Sequence, residues 1–566
     1  MMPLDFIVKL FTAARRRGSS ESGFAMVVAL GVLTVTSLLV AAIYVGVQAE
    51  VQATSRSSDK QQAYYAARAG EQAFLYQLNE NPNYWTTCSN DYAPTPVAVP
   101  GSTSGTQYSY VPVYNPGYSN TNCTASTAIA ALVDPNSGTL RMEFTGYAGP
   151  TNSSGVPTIS ETVVASFRKP SPLDFLWYTD HEMEDPALNS ACTGEKYYYQ
   201  YTNGAQPPAS CEINWASGDT MDGPSYTNDQ YLIYQGANPT FGRSGTDDQT
   251  ESSAPEKSVC VNSNCQNASF QGGTPPTVAG AENIPLPQSV SSTQLLTDAQ
   301  NNGNYVYTGT TTIGLTANAN GTESATISNC PGSTSTATCS SVNTVVNNVP
   351  SIIYVESGSG CPSTYTASTY SLNNSGQYYG PCGDVYVHGT YNQPLTIVSD
   401  HDIIIVGNTT TATCYTPQSA CTANPGLTTS TDSNGNPTGS ATLGLVAGDF
   451  VRVMHPANVV PSGITIDAAI LTLSHSFMVD NYSTGASNPQ PYLTVHGAIA
   501  QRYRGIVGLV GSAGYLKNYH YDDRLKVILP PFLFSISTAG WEVSRETLCM
   551  PDTPATDSSS CAYTGP

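Results

Sequence analysis

The chain has 566 residues, with 20 Lys and Arg against 41 Asp and Glu, a net charge of −21, and only 11% charged residues, where globular proteins average about 25%. Nucleic-acid binding is excluded on this balance, because phosphate affinity requires clustered Lys and Arg. The length allows several domains with substantial cores, and Ser, Thr, Asn, Gly and Tyr fill the places of the missing charges, a composition of exported β-rich proteins rather than cytosolic enzymes.

The first element is an apolar run, Phe24 to Val47 (FAMVVALGVLTVTSLLVAAIYVGV), without a charge. As a helix rising about 1.5 Å per residue it covers about 36 Å, enough to cross a hydrocarbon core of about 30 Å. Lys9, Arg15, Arg16 and Arg17 precede it and Glu50 is the nearest charge after it, so the positive-inside rule predicts a single-pass protein, N-terminus cytoplasmic and the rest exported. A secretory signal would break after its apolar core. Here the break comes before it, at Glu21-Ser22-Gly23-Phe24.

A short basic leader ending in Gly23, followed at once by Phe24 and an uninterrupted apolar helix, resembles the type IV prepilins. The resemblance implies cleavage after Gly23 by a prepilin peptidase, N-methylation of Phe24, and assembly with other pilin-like subunits. Major pilins of that family carry Glu at the fifth mature position, which here is Val28. The departure is similar to minor pilins of the PilX type. The competing reading of the same stretch is an ordinary signal anchor.

The helix is expected to continue through residue 80. No Pro interrupts Gln48 to Leu78, Tyr64, Ala67, Gly70, Phe74 and Leu78 recur at three- and four-residue spacing, and Asn79 to Pro82 supplies a stop. Residues 107–114, 131–149 and 159–169 then read as antiparallel strands, the middle stretch as two strands around Asp134 to Gly138. A long helix followed by a short antiparallel sheet is the order the resemblance implies.

The expected fold class is α+β, in six segments: a leader (1–23), the membrane and assembly helix (24–80), a pilin-like β head (85–170), a loop-rich β region stapled by disulfides (171–350), a β-solenoid-like domain (351–530) and a C-terminal cap and tail (531–566). The solenoid expectation rests on short β-branched strands between residues 350 and 517 and on the repeated Val387-His388-Gly389 and Val495-His496-Gly497. A sandwich or barrel is the alternative.

The fourteen cysteines follow the apolar run. They sit as near neighbours: Cys88 and Cys123, Cys192 and Cys211, Cys260 and Cys265, Cys330 and Cys339, Cys361 and Cys382, Cys414 and Cys421, Cys549 and Cys561. An even count in an exported chain favours disulfides, and zinc would want C-x-x-C pairs, which are missing. Asp180, His181, Glu182, Glu184 and Asp185 invite a cation or acid–base reading, but adjacent residues of an extended chain point apart, and a charged loop is expected.

Six histidines, at 388, 401, 455, 475, 496 and 520, match no ligand spacing and are read as stacked or surface side chains. The run 432–437 has Pro437 where a calcium loop needs Gly, and Ser512 lacks the Gly of a nucleophile elbow. The closing block 515–532, with Asp522, Asp523 and Arg524, is expected to cap the open end of the solenoid. No metal, cofactor or catalytic set is expected. The functional expectation is a minor pilin-like subunit whose head binds a surface or partner. Its alternatives are an anchored adhesin or envelope protein outside any filament, and an anchored polysaccharide-active enzyme relying on Arg524.

Overall fold

The computed structural model describes residues 24–549, apart from internal segments of which 330–343, 366–379 and 407–425 are the longest. Helix α1, Phe24–Glu80, runs unbroken for 57 residues. It stops where Pro82 follows Asn81, because a residue before proline is held out of the helical region.

Five strands form the first sheet: β1 (Ala93–Ala98), β2 (Gln107–Pro112), β3 (Leu140–Thr151), β4 (Pro157–Arg168) and β5 (Glu542–Leu548), antiparallel and adjacent in that order. Along β3 the even positions Leu140, Met142, Phe144 and Ala148 are buried, the period of two expected of a sheet with one covered face. The cover is the second half of α1, through Ala63, Ala66, Ala67, Phe74 and Leu78. Phe74 packs against Tyr110, Phe144 and Phe167 with ring centres 5.3 to 5.9 Å apart. Gly146 lies on the same face, where a Cβ would come within 2.0 Å of the Ala63 carbonyl oxygen and 2.3 Å of the Ala67 nitrogen. Only glycine admits the helix at that distance.

Two expectations are corrected here. Residues 131–149 are not two strands: Ala128–Leu132 is a short helix whose Ala128, Ala131 and Leu132 enter the core. Within the expected cap and tail (531–566), Glu542–Leu548 is instead a strand of the first sheet: β5 lies beside β4, with Glu542 opposite Arg168, while residues 550–566 lie outside the described residues. Residues 169–541 are therefore an insertion between two antiparallel neighbours.

The insertion is built mainly from parallel ladders around one large apolar core, to which Glu323–Asn329 and Thr344–Asn347 add antiparallel pairings beside Thr311–Ala317. In spatial order the longest runs through Val306–Thr308, Ile352–Glu356, Leu395–Ser399, Leu443–Ala447, the second half of Ile464–Thr472, the second half of Tyr492–Arg504, Trp177–Glu184, Ser225–Thr227, Thr250–Ser252 and Thr277–Ala279. Near-continuous Val, Ile and Leu in the strands from 352 to 472 is what parallel strands covered on both faces require. The order is not the order of the chain. The chain enters the stack in its middle at Trp177, builds outward to Ala279, crosses to the far end at Val306, and returns to meet its own entry point at Arg504. A second ladder closes the same seam, with Leu516–Tyr521 between Tyr492–Arg504 and Thr220–Asp222.

The boundary drawn at 350 is thereby corrected, since strands on both sides of it share one sheet. The closing block 515–532 is likewise not a terminal cap: Leu516–Tyr521 is an inner rung with a parallel neighbour on either side.

Candidate functional site

Two regions carry chemistry or contact surface that core packing alone does not account for: the helix with its dock, and the seam of the insertion. In α1 the large apolar side chains from Met26 to Val51 are exposed, Val28 among them at 49%. The most apolar window reaches a mean hydropathy of 2.5 and is long enough to cross a membrane by length and composition. Thr34 and Thr36 return their hydroxyl protons to the carbonyls of Leu30 and Val32, so their polar atoms do not interrupt the apolar surface. Phe24 is the first described residue and is already helical; Gly23 lies outside the described residues.

The docked half is tied to the returning strand. Arg68 pairs with Glu546, the Tyr64 hydroxyl donates to the same carboxylate at 3.0 Å, and Asn79 exchanges two hydrogen bonds with the backbone of Trp541. Trp541 also packs on Trp85 at 6.0 Å. The C-terminal strand thus locks the helix to the sheet from a sequence distance of more than 460 residues.

The acidic segment is not a loop. Trp177–Glu184 is a strand in which every residue is buried, and its acids meet cations from the other side of the seam. Arg504 reaches Glu182 at 3.1 Å with both side chains 0% exposed, Arg502 reaches Asp180 at 3.2 Å, and His475 and Ser476 reach Asp185 at 3.0 Å. Further along, Lys517 donates to Asp219 at 2.9 Å and Arg243 bridges Asp248 and Asp523. Among the described residues no cation pairs with Asp229. Burial pushes it up to about 7 although the N–H groups of Tyr198, Gln230 and Glu182 donate to it. Apart from Arg243 and Asp248, five residues apart, these pairs span 280 to 322 residues of sequence, which is why a short-range reading sees only excess charge.

The histidines are not independent surface groups either. Asp384, His401, Asp449, His475 and Asp185 form an alternating chain with successive contacts of 2.7, 3.4, 3.7 and 3.0 Å. The Phe450 ring stacks on His475 at 4.5 Å. Burial lowers the His401 value, but the Asp384 hydrogen bond and the fields of Asp384, Asp402 and Asp449 outweigh it and raise the group to about 9; His475 is raised for the same reason by Asp185 and Asp449. A raised folded-state value means stabilisation that is complete below the ordinary value of 6.5 and gone above about 9. In urea titrations the wild-type protein is expected to lose about 3 kcal/mol more stability than His401→Gln across that window. Parallel pH profiles of the two would refute the assignment.

Arg524 donates to the carbonyls of Thr438, Gly439 and Ala441 at 2.8, 3.1 and 3.0 Å and to Asp522 at 2.7 Å. Its hydrogen bonds hold loops together. The pairs Cys88–Cys123, Cys192–Cys211, Cys260–Cys265 and Cys361–Cys382 are disulfides, and Cys549 is disulfide-bonded. Cys330, Cys339, Cys414, Cys421 and Cys561 lie outside the described residues.

No known protein family matches the chain, and no curated protein is significantly similar to it. Among solved structures, the crystal structure of competence-associated pilin ComZ from Thermus thermophilus is similar over 86% of this chain and 96% of its own, at 12% identity and a TM-score of 0.26. A likeness of that size transfers neither a fold nor a role.

Proposed function

We propose that the chain is a minor pilin-like subunit of a type IV pilus or related filament, cleaved after Gly23 by a prepilin peptidase and methylated on Phe24. The observation that carries the reading is the division of one continuous helix. Its first half presents apolar side chains on all sides, and its second half is docked on a five-stranded antiparallel sheet. An apolar half free of its own domain can exchange lipid for the helices of neighbouring subunits, while the docked half fixes the head to it.

Val28 fits a minor rather than a bulk subunit. The basic residues 9 to 17 place the N-terminus in the cytoplasm and the head outside, where the disulfides persist. In this reading the parallel ladders are a β-solenoid, and the head is too bulky to repeat along a thin fibre. It sits at a tip or enters rarely, and offers its surface to a substratum or partner. No catalytic role is assigned, since Arg524, on which a lyase reading depends, is spent on structural bonds.

Mass spectrometry of the mature protein is expected to find a peptide beginning at N-methyl-Phe24. Recovery of an intact Met1 or Met2 start would sink the proposal in favour of a membrane-anchored surface protein outside any filament.

A further inference from the structure

A cleft of about 380 Å³ opens on the seam of the ladders, and His496 and His520 line it with Asp222, Arg243, Asp522 and Arg524. Parallel register places Asp467, His496, His520 and Asp222 in one column on four successive strands. The outer two are carboxylates and the inner two imidazoles. His496 Nδ1 lies 2.8 Å from Asp467 and His520 Nδ1 lies 3.0 Å from Asp222. The rings are neighbours, with centres 5.3 Å apart.

A carboxylate at Nδ1 holds a neutral imidazole in the Nδ1–H tautomer, leaves the Nε2 lone pair outward, and makes it a stronger donor. Neither Nε2 has a hydrogen bond or ion pair among the described residues. Two imidazoles on one tetrahedral zinc, each with a Zn–N bond of about 2.0 to 2.1 Å, have ring centres about 5 Å apart. The observed separation of 5.3 Å is of that size. The cations of the cleft do not oppose a metal ion, because Arg243 is held by Asp248 and Asp523 and Arg524 by Asp522.

The other groupings of metal-ligating side chains are less suited. Cys361 and Cys382 lie near His401 but are joined as a disulfide. Asp384, His401 and Asp402 converge, yet Arg452 stands 3.3 Å from Asp402 and supplies the positive charge that site needs.

We propose that His496 and His520 form a two-imidazole site for a divalent cation of the zinc class, with Asp467 and Asp222 as the carboxylates behind the ligands. The remaining coordination positions face the cleft, open to water or to a donor atom of whatever docks there.

Equilibrium dialysis of the full chain in detergent against Zn²⁺ is the test. The wild type is expected to show one saturable site that is lost in His496→Gln and in His520→Gln and kept in His475→Gln. Asp222→Asn, which leaves both ligands in place, is expected to weaken binding at least about tenfold. Should a histidine variant fail to fold, carbethoxylation of the unaltered protein gives the same answer, with Zn²⁺ protecting His496 and His520 from modification. The proposal is overturned by the absence of a saturable site, by a site that survives both histidine substitutions or is lost in His475→Gln as well, or by modification of His496 and His520 unaffected by Zn²⁺.

Discussion

Arg504→Ala is expected to destabilise the head by about 3 to 5 kcal/mol, the range for breaking a buried ion pair from one side. Arg504 is among the largest fully buried side chains, and Glu182 opposite it is 0% exposed. The guanidinium donates to Glu182 at 3.1 Å and to the Ile213 carbonyl, and its carbon lies 4.3 Å from the centre of the Trp215 ring and 5.5 Å from that of Trp177. Burial pulls its pKa down, so the protein holds the charge at a cost that Glu182 offsets. Truncation would leave Glu182 as a buried anion with, among the described residues, the Trp177 indole and the Thr179 hydroxyl as its side-chain donors. The double change Arg504→Met with Glu182→Gln removes both charges and is expected to cost less than Arg504→Ala alone. Urea unfolding followed by near-ultraviolet circular dichroism, to which Trp177 and Trp215 contribute among the four tryptophans, measures both; a loss under about 1 kcal/mol in the single variant would contradict the clasp.

The second large effect is expected at Gly146. In Gly146→Val the new Cβ falls on the Ala63 carbonyl oxygen and the Ala67 nitrogen, both backbone atoms. Neither can rotate aside as a side chain would. Overpacking costs about 1 to 3 kcal/mol where a core can adjust, and here the adjustment is displacement of the helix from the sheet. The docked half of α1 would then open to exchange and protease while the ladders stay intact. Hydrogen exchange across residues 63 to 78 reads this directly, and protection equal to wild type would show that Gly146 is not the point of contact.

What the sequence disclosed and what it hid divide by range. The helix and its C-terminal end at Glu80 could be read because their signals are local: an apolar run, a three-four stripe and a proline two residues past the end. The strand β3 was likewise expected, because the turn residues Asp134 to Gly138 stand just before it. By contrast β5, with the sequence EVSRETL, carries no apolar face of its own and is a strand because Arg168 and its neighbours offer it an edge. The acids of 180 to 185 read as solvated charge because Arg502, Arg504 and His475 lie 290 to 322 residues away. His496 and His520 are 24 positions apart, a spacing without meaning for a metal until parallel register turns it into adjacency. The short helix at Ala128 was missed for the opposite reason, since Ala-Leu-Val beside a turn-rich stretch suits a strand as well as a helix.

The entry of the chain at the middle of its own stack has a consequence for how the head is made. Trp177–Glu184 and Thr220–Asp222 emerge early but each exposes an unpaired parallel edge, the first until Tyr492–Arg504 arrives and the second until Leu516–Tyr521 does. A chain released after Asp222 but before Tyr492 carries both edges raw, and one released before Leu516 still carries the second, each a template for pairing with another copy. Closure waits on contacts separated by most of the chain, the slowest kind to form. The head is therefore a product of the finished polypeptide rather than of its growth, and partial chains are the species that a cell making this protein must keep apart.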